Sequence, residues 1–273
     1  MGMAYDKGVA LDGCSLIELL YDMIDKWEAA GRSKEGSFHW TPPADIQAFT
    51  SYSSLIWSEA KTYRRQPGPK VRYRWVKERS PMIVLAMGAN GVLYIGVRGT
   101  STDLEWASNM RFIPVSLKIG ALDMGHVHEG FGDTFRSCEK SFSQVLADFA
   151  GKEKNIRAVV VAGHSLGAAV ATLVSVSLIQ SDWFKASGFG SSSVYLLGSP
   201  NVGQSDFVTV FNEMPAHEVF NIRNTCDLVP KVPPEELGFH PVNTLMKFTK
   251  DWGNLRDNHV MPIYRAAITE GWV

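Results

Sequence analysis

Apolar residues recur at intervals of three and four positions in two long segments, which is the spacing of one face of an α-helix. In the first segment, Ser15 and Glu18 predict a capping box at the start of the helix, and Gly31 predicts its end. The second segment occupies positions 131–149. The apolar positions are Leu16, Leu19, Leu20, Met23, Ile24 and Trp27 in the first helix, and Phe131, Phe135, Cys138, Phe142, Val145, Leu146 and Phe149 in the second.

A further helix is predicted between these two, after the Pro42-Pro43 pair. Its apolar side comprises Ile46, Phe49, Ile56, Ala60 and Tyr63. Two prolines and a glycine within 66–70 end it. We therefore expect residues 1–65 to form an N-terminal helical part that packs on a sheet, within one domain that spans residues 1–273.

Strand patterns begin after this break. Positions 71–76 alternate basic and apolar residues, and the apolar runs 82–87 and 92–97 flank Asn90-Gly91, a strong hairpin signal. Strands and helices then alternate to the C-terminus, which predicts an α/β fold with a mixed, mostly parallel sheet flanked by helices. The strands of this part are 156–162, 194–197 and 218–223, and its helices are 168–179 and 205–211.

Composition is that of an ordinary globular protein, with 45% hydrophobic and 20% charged residues. The 27 basic and 28 acidic side chains give a net charge of −1, which gives no indication of a nucleic-acid partner or of an electrostatic membrane anchor. No apolar run approaches the roughly 18 residues of a transmembrane helix. The odd number of cysteines, three, favours reduced thiols, although one disulfide stays open.

The first eight residues lack the basic and apolar regions of a signal peptide. Two locations therefore stay open: the cytoplasm, or secretion after a leader has already been removed. The sequence carries no information on oligomeric state.

The chemistry-bearing motif is Gly163-His164-Ser165-Leu166-Gly167, which joins the strand at 156–162 to the small-residue helix at 168–179. This context predicts a nucleophile elbow, in which a tight strand-to-helix turn presents the serine hydroxyl. The glycines leave room for the turn, and the N-terminus of the helix directs free N–H groups to the same place. Ser165 is therefore the candidate nucleophile.

A serine hydroxyl needs an imidazole to accept its proton and a carboxylate to orient that imidazole. In α/β-hydrolase order both partners follow the serine, with the acid before the histidine. We favour His259 as the base, with His240 as the main alternative and His217 less favoured. For the acid we favour Asp227, just past the strand at 218–223, over Asp257, whose spacing suits a local turn contact.

An oxyanion hole needs two donors close to the nucleophile. The first is the N–H of Leu166, which the elbow fixes in place. The loop that follows the strand at 92–97 supplies the second, because Gly99 permits close backbone approach and Thr100 offers both an N–H and a hydroxyl. No metal-ligand spacing or phosphate-binding loop is present, so we expect neither a metal nor a cofactor.

Taken together, these motifs resemble the class 3 lipases, the fungal-type triacylglycerol lipases with an α/β-hydrolase fold. The resemblance covers the chain from about position 71 to the C-terminus, and it implies the triad Ser165, Asp227 and His259 with oxyanion donors Thr100 and Leu166. The motifs that carry it are Val97-Arg98-Gly99-Thr100 with Trp106, Val127-His128-Glu129-Gly130-Phe131, the elbow, Gly198-Ser199-Pro200-Asn201-Val202-Gly203, Asp227-Leu228-Val229-Pro230 with Pro233-Pro234, and Asp257-Asn258-His259.

The family often has a mobile lid after the oxyanion turn, and positions 101–110 fit one, with Leu104 and Trp106 as apolar contacts for substrate. A rigid surface helix is the alternative. Asn109 departs from the family pattern, which usually has Asp there, so a carboxylate contact that supports the oxyanion threonine is in doubt.

We thus expect a serine carboxylic-ester hydrolase that acts through an acyl-enzyme, most simply a lipase of triacylglycerol or related acyl esters. Its expected partner is a lipid or other water-insoluble ester, with transient contact at a lipid–water interface. A feruloyl esterase or phospholipase A1 on the same fold is the first alternative, because the acyl pocket decides the substrate. A non-catalytic lipase-like interaction protein is the second.

Overall fold

The computed structural model describes residues 4–43, 46–65, 73–100, 111–243 and 245–273, with backbone only at 60–65 and 73–75. The N-terminal half contains α1 (Lys7–Ala29), β1 (Phe49–Tyr52), β2 (Ile56–Arg65), β3 (Tyr73–Gly88), β4 (Val92–Val97), β5 (Pro114–Ile119), β6 (Leu122–His128) and α2 (Glu129–Ala150). The C-terminal half contains β7 (Ala158–His164), α3 (Leu166–Gln180), α4 (Asp182–Ser187), β8 (Ser192–Leu197), β9 (Gly203–Gln204), α5 (Ser205–Asn212), β10 (His217–Asn224), β11 (Phe239–His240), β12 (Leu245–Phe248) and α6 (Met261–Glu270), with short 3₁₀ turns at Val229–Lys231 and Glu235–Leu237.

The central sheet has the order β1-β3-β4-β7-β8-β10-β12, and β2 pairs with β3 beside this path. The strands β4, β7, β8, β10 and β12 are parallel to their neighbours in this group. The strands β1, β2 and β3 pair antiparallel. The prediction of a mixed, mostly parallel sheet flanked by helices is therefore confirmed.

Alternate residues of each central strand enter two different cores, as the pleat of a β-strand requires. Val159 and Val161 of β7 pack with α2 and α3 on one face of the sheet. Val160 and Ala162 pack with α1 and α6 on the other face. The two helical layers thus cover the sheet and leave its carboxyl edge for chemistry.

The predicted N-terminal helical part is wrong beyond α1. Residues 49–52 and 56–65 form strands β1 and β2, not a second helix. Ten pairs join β2 to β3 from Ile56 to Arg65, with a register shift between Ile56 and Trp57. This ladder satisfies backbone groups that a helix would have satisfied internally. Neighbouring Ile56 and Trp57 enter different apolar clusters, which is a strand arrangement.

The first helix also begins earlier than predicted. Asp6 is its N-cap, and its carboxylate accepts a hydrogen bond from Val9 N at 2.9 Å. Ser15 therefore lies inside the helix, where its hydroxyl donates to Leu11 O. The predicted capping partner Glu18 instead forms an ion pair with Arg265 of α6, at 2.7 Å.

The second sheet, of order β11-β9-β6-β5, was not predicted. Its β5–β6 hairpin leads directly into α2. By contrast, the predicted hairpin of β3 and β4 around Asn90-Gly91 is present, although β3 is one 16-residue strand that includes both 73–76 and 82–87.

Candidate active site

Ser165 lies between β7 and α3 in a backbone conformation that L-residues rarely adopt, with φ 60° and ψ −133°. Such strain persists only where the surroundings enforce it. A Cβ on Gly163 would meet the Gly167 carbonyl, and one on Gly167 would meet the backbone of Arg98. The turn can therefore close only because both positions are glycine.

The structure brings Ser165, His259 and Asp227 together. His259 Nε2 lies 2.7 Å from Ser165 Oγ, and His259 Nδ1 lies 2.6 Å from Asp227 Oδ2. All three residues are buried, with relative exposures of 3%, 6% and 0% for Ser165, His259 and Asp227. Electrostatic interactions among them are stronger than they would be in water, because water does not screen them.

The geometry assigns the protons. An ionised Asp227 only accepts, so the Nδ1–H of His259 donates to it. Nε2 then carries the lone pair and accepts the Ser165 hydroxyl proton. This is the tautomer that a general base requires.

Asp227 has two further donors. Its Oδ1 accepts from Val229 N at 2.9 Å, and its Oδ2 accepts from Tyr264 Oη at 2.6 Å. Burial, followed by the adjacent Asp227 charge, holds the pKa of Tyr264 well above its usual range, so the phenol keeps its proton. The sequence did not indicate the contact between Tyr264 and Asp227, because Tyr264 lies in an apolar helical run where a tyrosine is expected to pack in the core.

Replacement of Tyr264 by phenylalanine is expected to lower the free energy of unfolding by about 2 kcal/mol, because a buried carboxylate loses a charge-assisted hydrogen bond. It is also expected to lower kcat several-fold, since the acid is less firmly oriented. Urea unfolding and turnover of a soluble ester measure both effects. Tyr195→Phe is the matched control, because Tyr195 Oη makes only long contacts of 3.3 and 3.4 Å with the Asp6 backbone. Equal effects in the two variants would contradict the assignment.

The other face of the His259 segment contacts His164. His164 Nε2 lies 2.7 Å from the His259 carbonyl, which can only accept, so Nε2 carries the proton. Nδ1 therefore accepts from Tyr21 Oη of α1, at 2.8 Å. Burial, followed by the adjacent His259, holds the pKa of His164 well below its usual range. His164 thus stays neutral and supports the backbone of His259.

Buried amides fix the loop that precedes His259. Asn224 Nδ2 donates to the carbonyls of Lys250 and Asn258, at 2.8 and 3.1 Å. The Asn258 side chain accepts from Trp252 N at 2.6 Å and donates to Asp251 at 2.9 Å. The loop that carries the His259 imidazole lies outside any helix or strand. It is nevertheless held in place by these hydrogen bonds to its backbone.

The alternative bases and the alternative acid lie elsewhere. His217 opens β10 at the opposite edge of the sheet, where burial lowers its pKa to about 4. His240 is on β11 and faces Glu235 at 3.8 Å. Asp257 is half-exposed and accepts from Asn254 Nδ2 at 2.7 Å, which is the local turn contact expected of it.

The loop with the second predicted oxyanion donor reaches the elbow. A Cβ on Gly99 would lie 2.9 Å from Ser165 Cβ, so the backbone just before Thr100 touches the candidate nucleophile. Leu166 is the first residue of α3, and the first N–H groups of a helix have no acceptor within it. The predicted lid residues Leu104 and Trp106, together with Asn109, lie outside the described residues.

Within the described ranges, no three His, Cys, Asp or Glu side chains are arranged to hold a metal ion. None of the described helices is both long and apolar enough to cross a membrane. Cys14 and Cys138 are buried free thiols, and burial raises the pKa of each to about 12. Their thiols are therefore poor nucleophiles.

The family model described as Lipase (class 3) matches residues 94–237, more than half of the chain. The chain belongs to the class 3 lipase family. The match includes the elbow, Asp227 and the loop at Thr100, and it ends before His259. The match begins at residue 94, within β4, so the strands β2 and β3 lie outside it.

The chain is 30% identical over 206 residues to phospholipase A1-II 3 of Oryza sativa subsp. indica, a match that covers 62% of this chain and 47% of that one. It is 34% identical over 162 residues to the lipase of Rhizomucor miehei, covering 56% of this chain and 42% of the relative. The chain thus spans about half the length of the curated relatives that it matches.

Two solved structures give the same fold. The Rhizomucor miehei lipase–propeptide complex superposes with a TM-score of 0.55 at 26% identity, covering 62% of this chain and 52% of that one. A triacylglycerol lipase whose catalytic centre is described as a serine-protease triad superposes with a TM-score of 0.54 at 28% identity, covering 62% of each chain. The chain therefore has an α/β-hydrolase fold, as predicted.

Proposed function

We propose that this protein is a serine carboxylic-ester hydrolase that acts on acyl lipids. The single observation that supports the proposal is the continuous buried chain from Ser165 through His259 to Asp227, with separations of 2.7 and 2.6 Å. Side chains 94 and 32 positions apart in sequence meet there in the order that nucleophilic catalysis requires.

In the proposed reaction, Ser165 Oγ bonds to the ester carbonyl carbon while His259 Nε2 takes the hydroxyl proton. The tetrahedral oxyanion accepts hydrogen bonds from Leu166 N and from Thr100. His259 then gives its proton to the leaving alkoxide, and the acyl group stays on Ser165. Water, deprotonated by His259, releases the acid and restores the serine. Asp227 stabilises the imidazolium throughout.

The substrate proposal is a glycerolipid ester. The likeness to the Rhizomucor miehei lipase, whose solved structure is described as that of a triacylglyceride lipase, favours triacylglycerol. The rice relatives named phospholipase A1 favour a phospholipid as the second candidate. The catalytic groups are equally suited to both, since acyl-pocket shape decides between substrates. We further propose that Leu104 and Trp106 contact the acyl chain.

The test is covalent labelling with a serine-directed fluorophosphonate, followed by peptide mapping. One equivalent is expected on Ser165, with parallel loss of activity on a short soluble ester. Hydrolysis of emulsified triacylglycerol and of phosphatidylcholine then ranks the two substrates. A protein that neither reacts nor hydrolyses esters would instead be the non-catalytic interaction protein, and the proposal would fail.

A further inference from the structure

Arg223 is a buried cation near the end of β10, just before the loop that carries Asp227, and its relative exposure is 7%. Its guanidinium donates to Asn221 Oδ1 at 3.2 Å, to Pro230 O at 2.8 Å and to Asn201 Oδ1 at 3.1 Å. All three acceptors are neutral, and no ion pair among the described residues involves Arg223. Burying a guanidinium is costly, and three neutral acceptors compensate for that cost only in part.

The strongest of these hydrogen bonds holds the turn that orients Asp227. Pro230 lies in the 3₁₀ turn that directly follows the loop, and the N–H of Val229 in the same turn donates to Asp227 Oδ1 at 2.9 Å. Arg223 binds the carbonyl of the next residue, Pro230. The guanidinium therefore fixes the backbone that supplies a donor to the proposed acid.

Asn201 extends this clamp to the end of the turn. Its Nδ2 donates to Pro233 O, and its backbone N donates to Val232 O, both at 2.9 Å. Because Nδ2 is occupied in this way, the amide oxygen of Asn201 faces the Arg223 guanidinium. Arg223 thus holds the segment after Asp227 directly at Pro230 and through Asn201 at Pro233.

The positive charge of Arg223 also acts on Asp227. Asp227 is fully buried and carries the negative charge of the triad while His259 is neutral. Arg223 and Asp227 line one cavity, between β10, β12 and the turn. Burial lowers the pKa of Arg223 to about 10, against the opposing effects of Tyr264, Glu235 and Asp227, so the guanidinium is charged at neutral pH. A nearby cation favours the ionised form of a carboxyl group.

The titratable groups that face His259 come from three elements. They are Asp227 after β10, His164 at the end of β7 and Tyr264 of α6. His164 and Tyr264 stay neutral for the reasons given above. Among the described residues, Asp227 is therefore the charge in direct contact with His259, and Arg223 acts on His259 through it.

The other charged groups around the cavity are exposed, in contrast to Arg223 and Asp227. Water screens charges in such positions much more strongly than buried ones. These groups are Lys231, Glu235, Glu236 and Lys247.

We propose that Arg223 is a positioning residue of the active site, which clamps the turn that holds Asp227 and supplies the buried positive charge that balances its carboxylate. This deepens the proposed function and rests on it. Loss of the positive charge makes a proton on His259 more favourable, which raises the pKa of His259. A base with a raised pKa is protonated, and therefore inactive, up to a higher pH.

The test compares Arg223→Gln and Arg223→Lys on a soluble short-chain ester. In Arg223→Gln, the acid limb of the kcat/KM profile, which reports the base of the free enzyme, should move up by roughly half a pH unit. Its kcat should fall about tenfold with KM within about twofold of the wild type, because the acid is misplaced and substrate is not contacted. Arg223→Lys keeps the charge, so its acid limb should stay within about 0.2 pH unit of the wild type, with kcat several-fold lower because fewer hydrogen bonds hold the turn.

Lys247→Gln is the matched control. Lys247 lies opposite Arg223 in the β10–β12 ladder and lines the same cavity, but it is exposed. The control removes the same charge from a screened position and should keep the wild-type kcat and acid limb. An equal shift in Lys247→Gln would overturn the proposal, as would an acid limb that stays at the wild-type pH in folded Arg223→Gln.

If Arg223→Gln does not fold, Asn201→Ala tests the clamp with the charge in place. Its kcat should fall about fivefold with an unchanged acid limb, and a wild-type kcat would contradict the clamp. The wild-type protein separates the two proposals. Failure of the proposed function leaves it unable to hydrolyse the ester, whereas failure of the Arg223 assignment leaves it active and its Arg223 variants unaffected.

Discussion

Ser165→Ala is expected to lower kcat on a soluble ester by about 10⁶-fold, because removal of the nucleophile from a triad leaves only the contribution of oxyanion stabilisation and binding. The fold should be retained. Only one buried atom is removed, and alanine must adopt the same φ of 60° that the surroundings already enforce on serine. Single-turnover and steady-state assays, with thermal unfolding as the check on folding, measure both outcomes.

Ser175→Ala is the matched control for this variant. Ser175 is fully buried in the same helix α3, and its hydroxyl donates to Thr172 O at 2.8 Å. The control deletes the same atom ten residues further along the chain and should keep kcat unchanged. Residual activity of Ser165→Ala within tenfold of the wild type would exclude Ser165 as the nucleophile.

Asp227→Asn is expected to lower kcat by about 10⁴-fold while the structure stays intact. The reason is the tautomer of His259. An amide directed at Nδ1 donates a proton there, so the imidazole proton moves to Nε2, which faces Ser165 Oγ at 2.7 Å and can no longer accept from it. Val229 N donates to Oδ1 at 2.9 Å and so favours the amide oxygen at that position, which places the NH2 group at the position of Oδ2, facing His259 Nδ1.

Asp257→Asn makes the same chemical change at the rival carboxylate. That side chain is half-exposed and contacts Asn254 rather than His259, so kcat of this variant should stay within about threefold of the wild type. The pair of variants separates the two acids. A large loss in Asp257→Asn with little loss in Asp227→Asn would reverse the assignment.

The elbow was predictable from the sequence because its geometry is local. A strand, five residues and a helix determine where Ser165 lies, and the glycines of the motif are required by contacts with the turn itself. Asp227 and His259 were predicted from their order in the chain and from the rule that active sites lie at the carboxyl ends of parallel strands. The prediction of one domain over residues 1–273 stays a prediction.

The segment 46–65 shows where periodicity alone is insufficient. Its apolar positions fit a helix, but the same residues also fit a strand whose neighbours enter two clusters. The segment forms a strand because a partner strand, β3, forms ten residue pairs with it. Strand formation depends on such long-range pairing, which a window of local sequence does not contain.

Tyr264 and Tyr21 were missed for a related reason. Each tyrosine lies on the apolar face of a helix, and only the fold reveals that its hydroxyl reaches the triad or its support. A tyrosine in such a run is a weak signal, because most buried tyrosines pair with nearby backbone.

The hydrogen bond from Tyr21 to His164 reaches beyond the part of the chain that matches the family model. That part begins at residue 94, whereas Tyr21 lies on the first helix and supports, through His164, the carbonyl of His259. A shortened protein that starts at the family boundary would lose the donor to the His164 imidazole. The N-terminal helix thus helps to position the proposed base, and engineering that trims or replaces it is expected to change turnover as well as packing.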